Sequence, residues 1–313
     1  KPFDPRLIAA IPPAVARAAM ESGVATEPIE NWQSYEDELH ARMGNDNKIV
    51  RLLMNRARTN PKRIIFTEAD HLDVLKASQI VYEEGIAIPV LLGRKQTIKE
   101  LMAEIEFEAD VDIIDPKADE TLPLLKIYAK TFWEKRRRNG ITLYDAEKLM
   151  RERNYFASMM VNEGYAEGLI SGYSRAYASV VRPVIETIGK FEGVDKVATT
   201  NLMLTKRGPL FLSDTAINID PTAEDMAKIA HMTAYTMRMF GVEPTMAMVS
   251  YNNFGSSKHP SAEKVKQAVA ILHERVPDLC IDGGLQADFA LNAKMRRDKY
   301  PFSKLGNKKV NAL

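Results

Sequence analysis

The sequence predicts an α/β fold of two lobes, each a mostly parallel sheet between layers of helices, with a cleft between the lobes and a helical arm ahead of them. Short apolar runs alternate with segments of helical period along most of the chain, and strands that alternate with helices pair in parallel through right-handed crossovers. The length, 313 residues, corresponds to about two domains.

Residues 1–44 carry helical pieces, among them 35–43, and no strand, and Gly44-Asn45-Asp46-Asn47 then breaks the chain. The first lobe, 45–190, opens with the strand 64–66 and a helix over 71–84 that Gly85 ends. A strand at 89–92 follows, then a helix whose face is Ile98, Leu101, Met102 and Ile105. A strand at 111–114 closes on Asp115-Pro116. Two long helices over 121–138 and 144–162, a strand at 168–170 and a helix over 176–188 complete this lobe. The second lobe, 191–313, starts with strands at 196–204 and 210–212 and a helix with Met226, Ile229, Ala230, Thr233 and Met237 on one face. A strand at 245–249, a helix with Val265, Ala268, Val269 and Leu272 inward, and strands at 279–281 and 310–313 end it.

Composition narrows function. The 43 basic and 42 acidic residues cancel to +1, which argues against a nucleic-acid partner held by bulk charge. The lone Cys280 forms no intramolecular disulfide and fits a reducing cytoplasm. Residues 7–16 are apolar behind Lys1 and Arg6, yet Pro12-Pro13 interrupts the run and the chain opens on Lys. A segment of a longer chain is therefore expected rather than a secretory leader. No stretch approaches the ~20 apolar residues of a membrane span, so no membrane partner is expected.

Ligands of open parallel sheets bind beyond the carboxyl ends of strands, where helix N-termini point their N–H groups. Three strand ends are equipped for this. In MVSYNNFGSSKHPSAEK, the loop residues Asn253, Gly255, Ser256, Ser257 and Lys258 supply hydroxyls, backbone N–H groups and an ammonium for a phosphate. The plain alternative is a polar loop with Ser261 capping the next helix. In LISGYSRAYASVVRP, Ser171 and Gly172 form a sharp turn, and Arg175 and Arg182, seven apart, share one helix face. Two solvated arginines are the alternative there. In FLSDTAINIDPTAED, Asp214 is a candidate site carboxylate, while Thr222 and Asp225 fit a capping box.

Other features take structural readings. The basic run 135–138 suits a helix end. Glu68 and Asp70 either line a cleft or face water, and Asp282-Gly283-Gly284 is first a turn. The five histidines are scattered without metal spacing, and no clustered aspartates suggest a metal-dependent dehydrogenase. No metal site is expected. No G-x-G-x-x-G, P-loop or G-x-S-x-G pattern appears.

The ordered set SGYSRAYASVVRP, LFLSDTAINIDPTAED, FGVEPTMAMVS, FGSSK and PDLCIDGGLQAD resembles the phosphate acetyltransferase (phosphotransacetylase) family from about Ile49 to Leu313. The variant resembled most is the one fused behind NADP-dependent malic enzymes, because residues 3–29 are similar to the end of their catalytic region and YNNFGSS to their loop. Phe254 stands where the stand-alone transferases carry a Lys, and 173–177 depart from their Thr- and His-rich segment. The resemblance implies a regulatory, oligomerising domain that binds acetyl-CoA, CoA or acetyl phosphate. An active transferase and a pure assembly domain are the alternatives. The family's catalytic Ser-Arg pair and Asp belong to a tail beyond Leu313, so no catalytic residue is expected among these 313. NADP and a divalent metal are expected only in an upstream malic enzyme domain. A cytoplasmic homo-oligomer is the implied setting.

Overall fold

The computed structural model describes residues 7–32, 34–35, 38–39, 48–205 and 207–313. Most of the helix expected over 35–43 and the break at 44–47 lie outside them. Helix α1 (Leu7–Glu21) runs through Pro12 and Pro13, so the two prolines do not end the apolar run. They remove two N–H donors, and the helix continues without them. Among the described residues no helix is long and apolar enough to cross a membrane.

The chain forms two compact units, Leu52–Val197 and Lys1–Arg51 with Ala198–Leu313. Helix α2 (Lys48–Thr59) spans the first division. In the unit Leu52–Val197, strands β1 (Lys62–Phe66), β2 (Ala87–Leu92), β3 (Ile113–Ile114) and β4 (Gly168–Ile170) form one parallel sheet in the order β3-β2-β1-β4. Side chains alternate across a strand, and the core follows that alternation. Ile65, Val90 and Leu92 pack on helices α5 (Leu122–Arg136) and α7 (Arg153–Asn162) through Leu125, Phe132, Phe156 and Met160. Phe66 and Leu91 pack on helices α3 (Leu72–Glu83) and α4 (Lys95–Glu104) through Leu75 and Ile98. Helices thus cover both faces.

The helix expected over 144–162 is two helices, α6 (Leu143–Leu149) and α7. Thr142 and Asp145 close a capping box on α6, and Glu152 is extended, so Arg153 begins a new helix with its side chain free to reach the sheet. Helix α8 (Tyr177–Thr187) completes the unit.

In the other unit, β5 (Thr200–Thr205) and β6 (Gly208–Ser213) are antiparallel, not parallel. Only two residues separate them in sequence, far too few for a crossover. Strands β7 (Thr245–Val249) and β8 (Cys280–Leu285) are parallel. Ala312 bridges Phe211 and Met246, both in parallel, so the expected strand at 310–313 lies between β6 and β7. Helix α9 (Ala223–Met239) starts with the expected Thr222/Asp225 capping box. Helix α10 (Pro260–Arg275) is capped by His259 rather than Ser261: the His259 ring accepts from the Ser261 N–H, and Pro260 opens the helix. Helices α11 (Ala287–Leu291) and α12 (Ala293–Lys299) follow.

Asp282-Gly283-Gly284 is strand, not turn. A Cβ on Gly283 would stand 2.4 Å from the Met248 carbonyl oxygen, so only glycine lets β8 approach β7 there. Asp282 is buried and accepts from Ser303 Oγ at 2.9 Å and the Lys304 N–H at 2.8 Å.

Candidate functional site

Strands β1 and β4 are neighbours with Phe66 opposite Ile170, so the segments that leave their carboxyl ends meet. Thr67 continues the pairing by donating its N–H to Ile170 O. Glu68 then turns its carboxylate into residues 172–174. Its oxygens accept from the N–H groups of Gly172 (2.9 Å), Tyr173 (2.8 Å) and Ser174 (3.0 Å), and from the Ser174 hydroxyl. Burial raises the Glu68 pKa, but the bonds from Ser174, Tyr173 and Gly172 outweigh it and hold it below the usual carboxylate range. The turn that the sequence marks as an anion seat therefore holds an anion of its own chain. Ser171 is also engaged: its hydroxyl donates to Asn154 Oδ1 at 2.8 Å.

Asp70 does not face water either. It takes a two-pronged ion pair from Arg153, at 2.6 and 2.5 Å. Burial raises its pKa and Arg153 more than offsets this, so the carboxylate stays charged.

Arg175 precedes α8 instead of sharing a helix face with Arg182, yet both line one pocket of about 630 Å³. Lys148, Arg153, Glu68 and Glu186 line it too, so four cations meet carboxylates there. Arg182 Nε donates to Glu186 at 2.9 Å, and the same carboxylate accepts from Tyr155 OH at 2.6 Å. Burial first, then the Glu186 partner, push the Tyr155 hydroxyl up to about 12, so it remains a donor. Arg136, from the basic run, stands 3.8 Å from Glu186. Lys135 donates to Asn162 Oδ1 and to Thr187 O at the end of α8, which is the structural role expected of that run. Arg175 has no ion-pair partner among the described residues. Lys148 has none either, so two cations of this pocket are open to a ligand.

The remaining expected residues lie in the other unit. Asp214 follows β6 and lines a pocket of about 220 Å³ floored by Met226, Ile229, Met246 and Met248. The loop after β7 is tied internally. The Asn253 side chain donates to Gln286 Oε1 (2.7 Å) and accepts from the Gln286 N–H (2.9 Å). Ser257 Oγ pairs with Tyr251 OH and accepts from the His259 N–H. Phe254 donates its N–H to Gly284 O and packs on Tyr300 and Phe302, with ring centroids 5.2 and 4.9 Å away. Gly255, Ser256 and Lys258 are exposed, and the N–H groups of Gly255, Ser257 and Lys258 have no acceptor among the described residues. These are the loop's free donors.

No group of three or more metal-ligating side chains occurs among the described residues. The residues missed in the sequence are Glu68, as the filler of the turn, and Glu186. Glu68 lies two residues past the first strand, where an acid can reach a neighbouring strand end; Glu186 left no signal.

The chain matches the family model described as phosphate acetyl/butaryl transferase over residues 48–312. It is 37% identical over 310 residues to the NADP-dependent malic enzyme of Haemophilus influenzae, covering 97% of this chain and 41% of that one. The chain thus spans about two fifths of the malic enzymes it matches, in their C-terminal part. It is 36% identical over 262 residues to the phosphate acetyltransferase of Thermoanaerobacterium thermosaccharolyticum, covering 82% of this chain and 79% of that one. A phosphotransacetylase from Streptococcus pyogenes superposes with a TM-score of 0.75 at 30% identity, over 85% of this chain and 80% of that one.

Proposed function

Because the chain belongs to the phosphate acetyl/butaryl transferase family, we propose that it is a transferase-like module that binds acetyl-CoA as an effector of a malic enzyme. The observation that carries this reading is the length of the malic enzyme match. It takes in 97% of the chain, including residues ahead of position 48 that the family model leaves out. Each unit taken by itself supports phosphate binding, Leu52–Val197 through Arg175 and the other through the open donors at Gly255, Ser257 and Lys258. An effector acts only through different affinities for two states of the enzyme it regulates, so acetyl-CoA must favour either the active or the inhibited form. NADP and a divalent metal belong, in this reading, to a malic enzyme region outside these 313 residues. A cytoplasmic homo-oligomer is part of the same reading.

Calorimetric titration with acetyl-CoA tests the proposal. Saturable heat at submillimolar ligand is the expected result, and none at millimolar ligand overturns it. A working phosphate acetyltransferase is the second reading, favoured by the 36% identity to such an enzyme. Against it, the N–H groups of 172–174 are consumed by Glu68 and offer nothing to a developing oxyanion. Formation of acetyl-CoA from acetyl phosphate and CoA separates the two.

A further inference from the structure

The only thiol of the chain has an amine beside it: Lys308 Nζ stands 3.4 Å from Cys280 Sγ. Cys280 opens β8 and Lys308 precedes the terminal strand. The pair therefore lies at the amino ends of these strands, away from the carboxyl ends where the Asp214 pocket opens. Neither group is sealed: Lys308 is exposed and Cys280 is partly so.

Both side chains start from fixed backbone. Cys280 pairs with Thr245 of β7 in the parallel ladder. The Lys308 N–H donates to Leu305 O at 2.9 Å, and Lys308 O accepts from Arg296 Nη2 at 2.6 Å. Arg296 is fully buried and also donates to the carbonyls of Phe289, Ala290 and Gly306, so the segment carrying Lys308 is clamped. Its Nε is buried without a partner among the described residues. Burial lowers the Arg296 pKa, and the negative charges of Asp282 and of a Cys280 thiolate oppose this. The thiol thus has an exposed ammonium and a buried guanidinium as neighbours, and reactive cysteines sit in such electropositive, partly exposed surroundings.

We infer that Cys280 and Lys308 form an acyl relay through which an acetyl thioester acetylates Lys308. The Cys280 thiolate attacks the acetyl carbonyl carbon: the Sγ–C bond forms and the carrier's C–S bond breaks. The carrier leaves as a thiolate and takes up the proton that Cys280 gave up. The neutral Lys308 amine then attacks the same carbon: an N–C bond forms, the C–Sγ bond breaks, and the proton shed by nitrogen restores the Cys280 thiol. The products are acetyl-Lys308 and the free carrier thiol, and no oxidant takes part. An amine 3.4 Å from the sulfur is within near-attack distance of an acyl carbon bound to that sulfur. The relay needs no occupied cleft, so it stands apart from the effector reading.

Peptide mass spectrometry tests it on the whole protein, incubated with acetyl-CoA or with N,S-diacetylcysteamine, a thioester without phosphate or nucleotide. Lys308 is expected to gain acetyl at least about tenfold faster than the exposed Lys304 and Lys309 with either donor, because proximity alone is worth that much or more. Cys280→Ser is expected to bring Lys308 down to the rate of those two lysines. Lys308→Arg is expected to leave an acetyl group on Cys280 that hydroxylamine removes. A Lys308 rate that matches its neighbours, or one that Cys280→Ser leaves unchanged, overturns the relay. The lack of a Cys280 adduct in Lys308→Arg overturns it too, as does rapid acetylation by acetyl-CoA alone, since that requires delivery from a binding site.

Discussion

Removing the Glu68 carboxylate tests whether the 171–174 turn is a filled anion seat. Glu68→Ala leaves the N–H groups of Gly172, Tyr173 and Ser174, in residues that are themselves exposed, without their acceptor. An abandoned buried donor costs about 1–3 kcal/mol, and water reaches these part-buried groups, so the three together cost about 2–3 kcal/mol rather than three full penalties. Glu68→Gln keeps the shape and one acceptor oxygen and is expected to lose about half as much. The assay is the urea midpoint followed by circular dichroism. A second arm adds sulfate. Three converging N–H groups ahead of α8 form an anion site once the carboxylate is gone. Sulfate at ten times its Kd then stabilises Glu68→Ala by about 1.4 kcal/mol and leaves the wild type, whose seat is taken, unmoved. A Glu68→Ala midpoint loss below about 1 kcal/mol, or equal stabilisation of both proteins by sulfate, refutes the reasoning.

Acid should unfold the unit Leu52–Val197 through three carboxylates. Glu68, Asp70 and Glu186 all have folded pKa values below their ordinary ones, burial opposing and hydrogen-bond or arginine partners prevailing. Their contribution is complete above the ordinary carboxylate range and lost as pH falls through the depressed folded values. The urea midpoint is expected to be flat from about pH 7 to 5 and to drop below about 4.5, less steeply in Glu68→Gln. Arg296→Met should cost about 2–4 kcal/mol, because the buried guanidinium donates to the carbonyls of Phe289, Ala290, Gly306 and Lys308, and methionine leaves all four unmet; the thermal midpoint reads it. Gly283→Ala should cost about 3 kcal/mol by forcing β8 off the Met248 carbonyl; a loss under about 1 kcal/mol in urea contradicts the close approach.

What the sequence shows is what repeats locally. Short apolar runs gave β1, β2 and β7, helical periods gave α4, α9 and α10, and the Thr222/Asp225 spacing marked a cap because capping is a three-residue interaction. The misses are of two kinds. The expected strands at 196–204 and 210–212 left only five residues between them, too few for a crossover, but the alternation of strands and helices elsewhere outweighed that signal. The site interactions were not legible at all. Glu68 meets residues more than a hundred positions away, Asp70 meets Arg153 across 83, and Asn253 meets Gln286 across 33. Pairings at such distances carry no period and no fixed spacing, and only the sheet order brings them together.

The two glycine-bearing strand ends show why composition does not identify a ligand site. Both 171–174 and 252–258 carry serine, glycine and a following cation, and both leave a parallel strand ahead of a helix. At the first, a neighbouring strand delivers a carboxylate, and every N–H from 172 to 174 is spent on it. At the second, the neighbouring strand β8 delivers Gln286, an amide that satisfies Asn253 but is neutral. Phe254 anchors the loop on Tyr300 and Phe302, which fixes its path while leaving Gly255, Ser257 and Lys258 with open donors. A phosphate meeting the first turn must displace an anion that already has four hydrogen bonds; one meeting the second need displace only water. The side chain across the sheet, rather than the loop's own residues, decides which of two similar loops is available to bind.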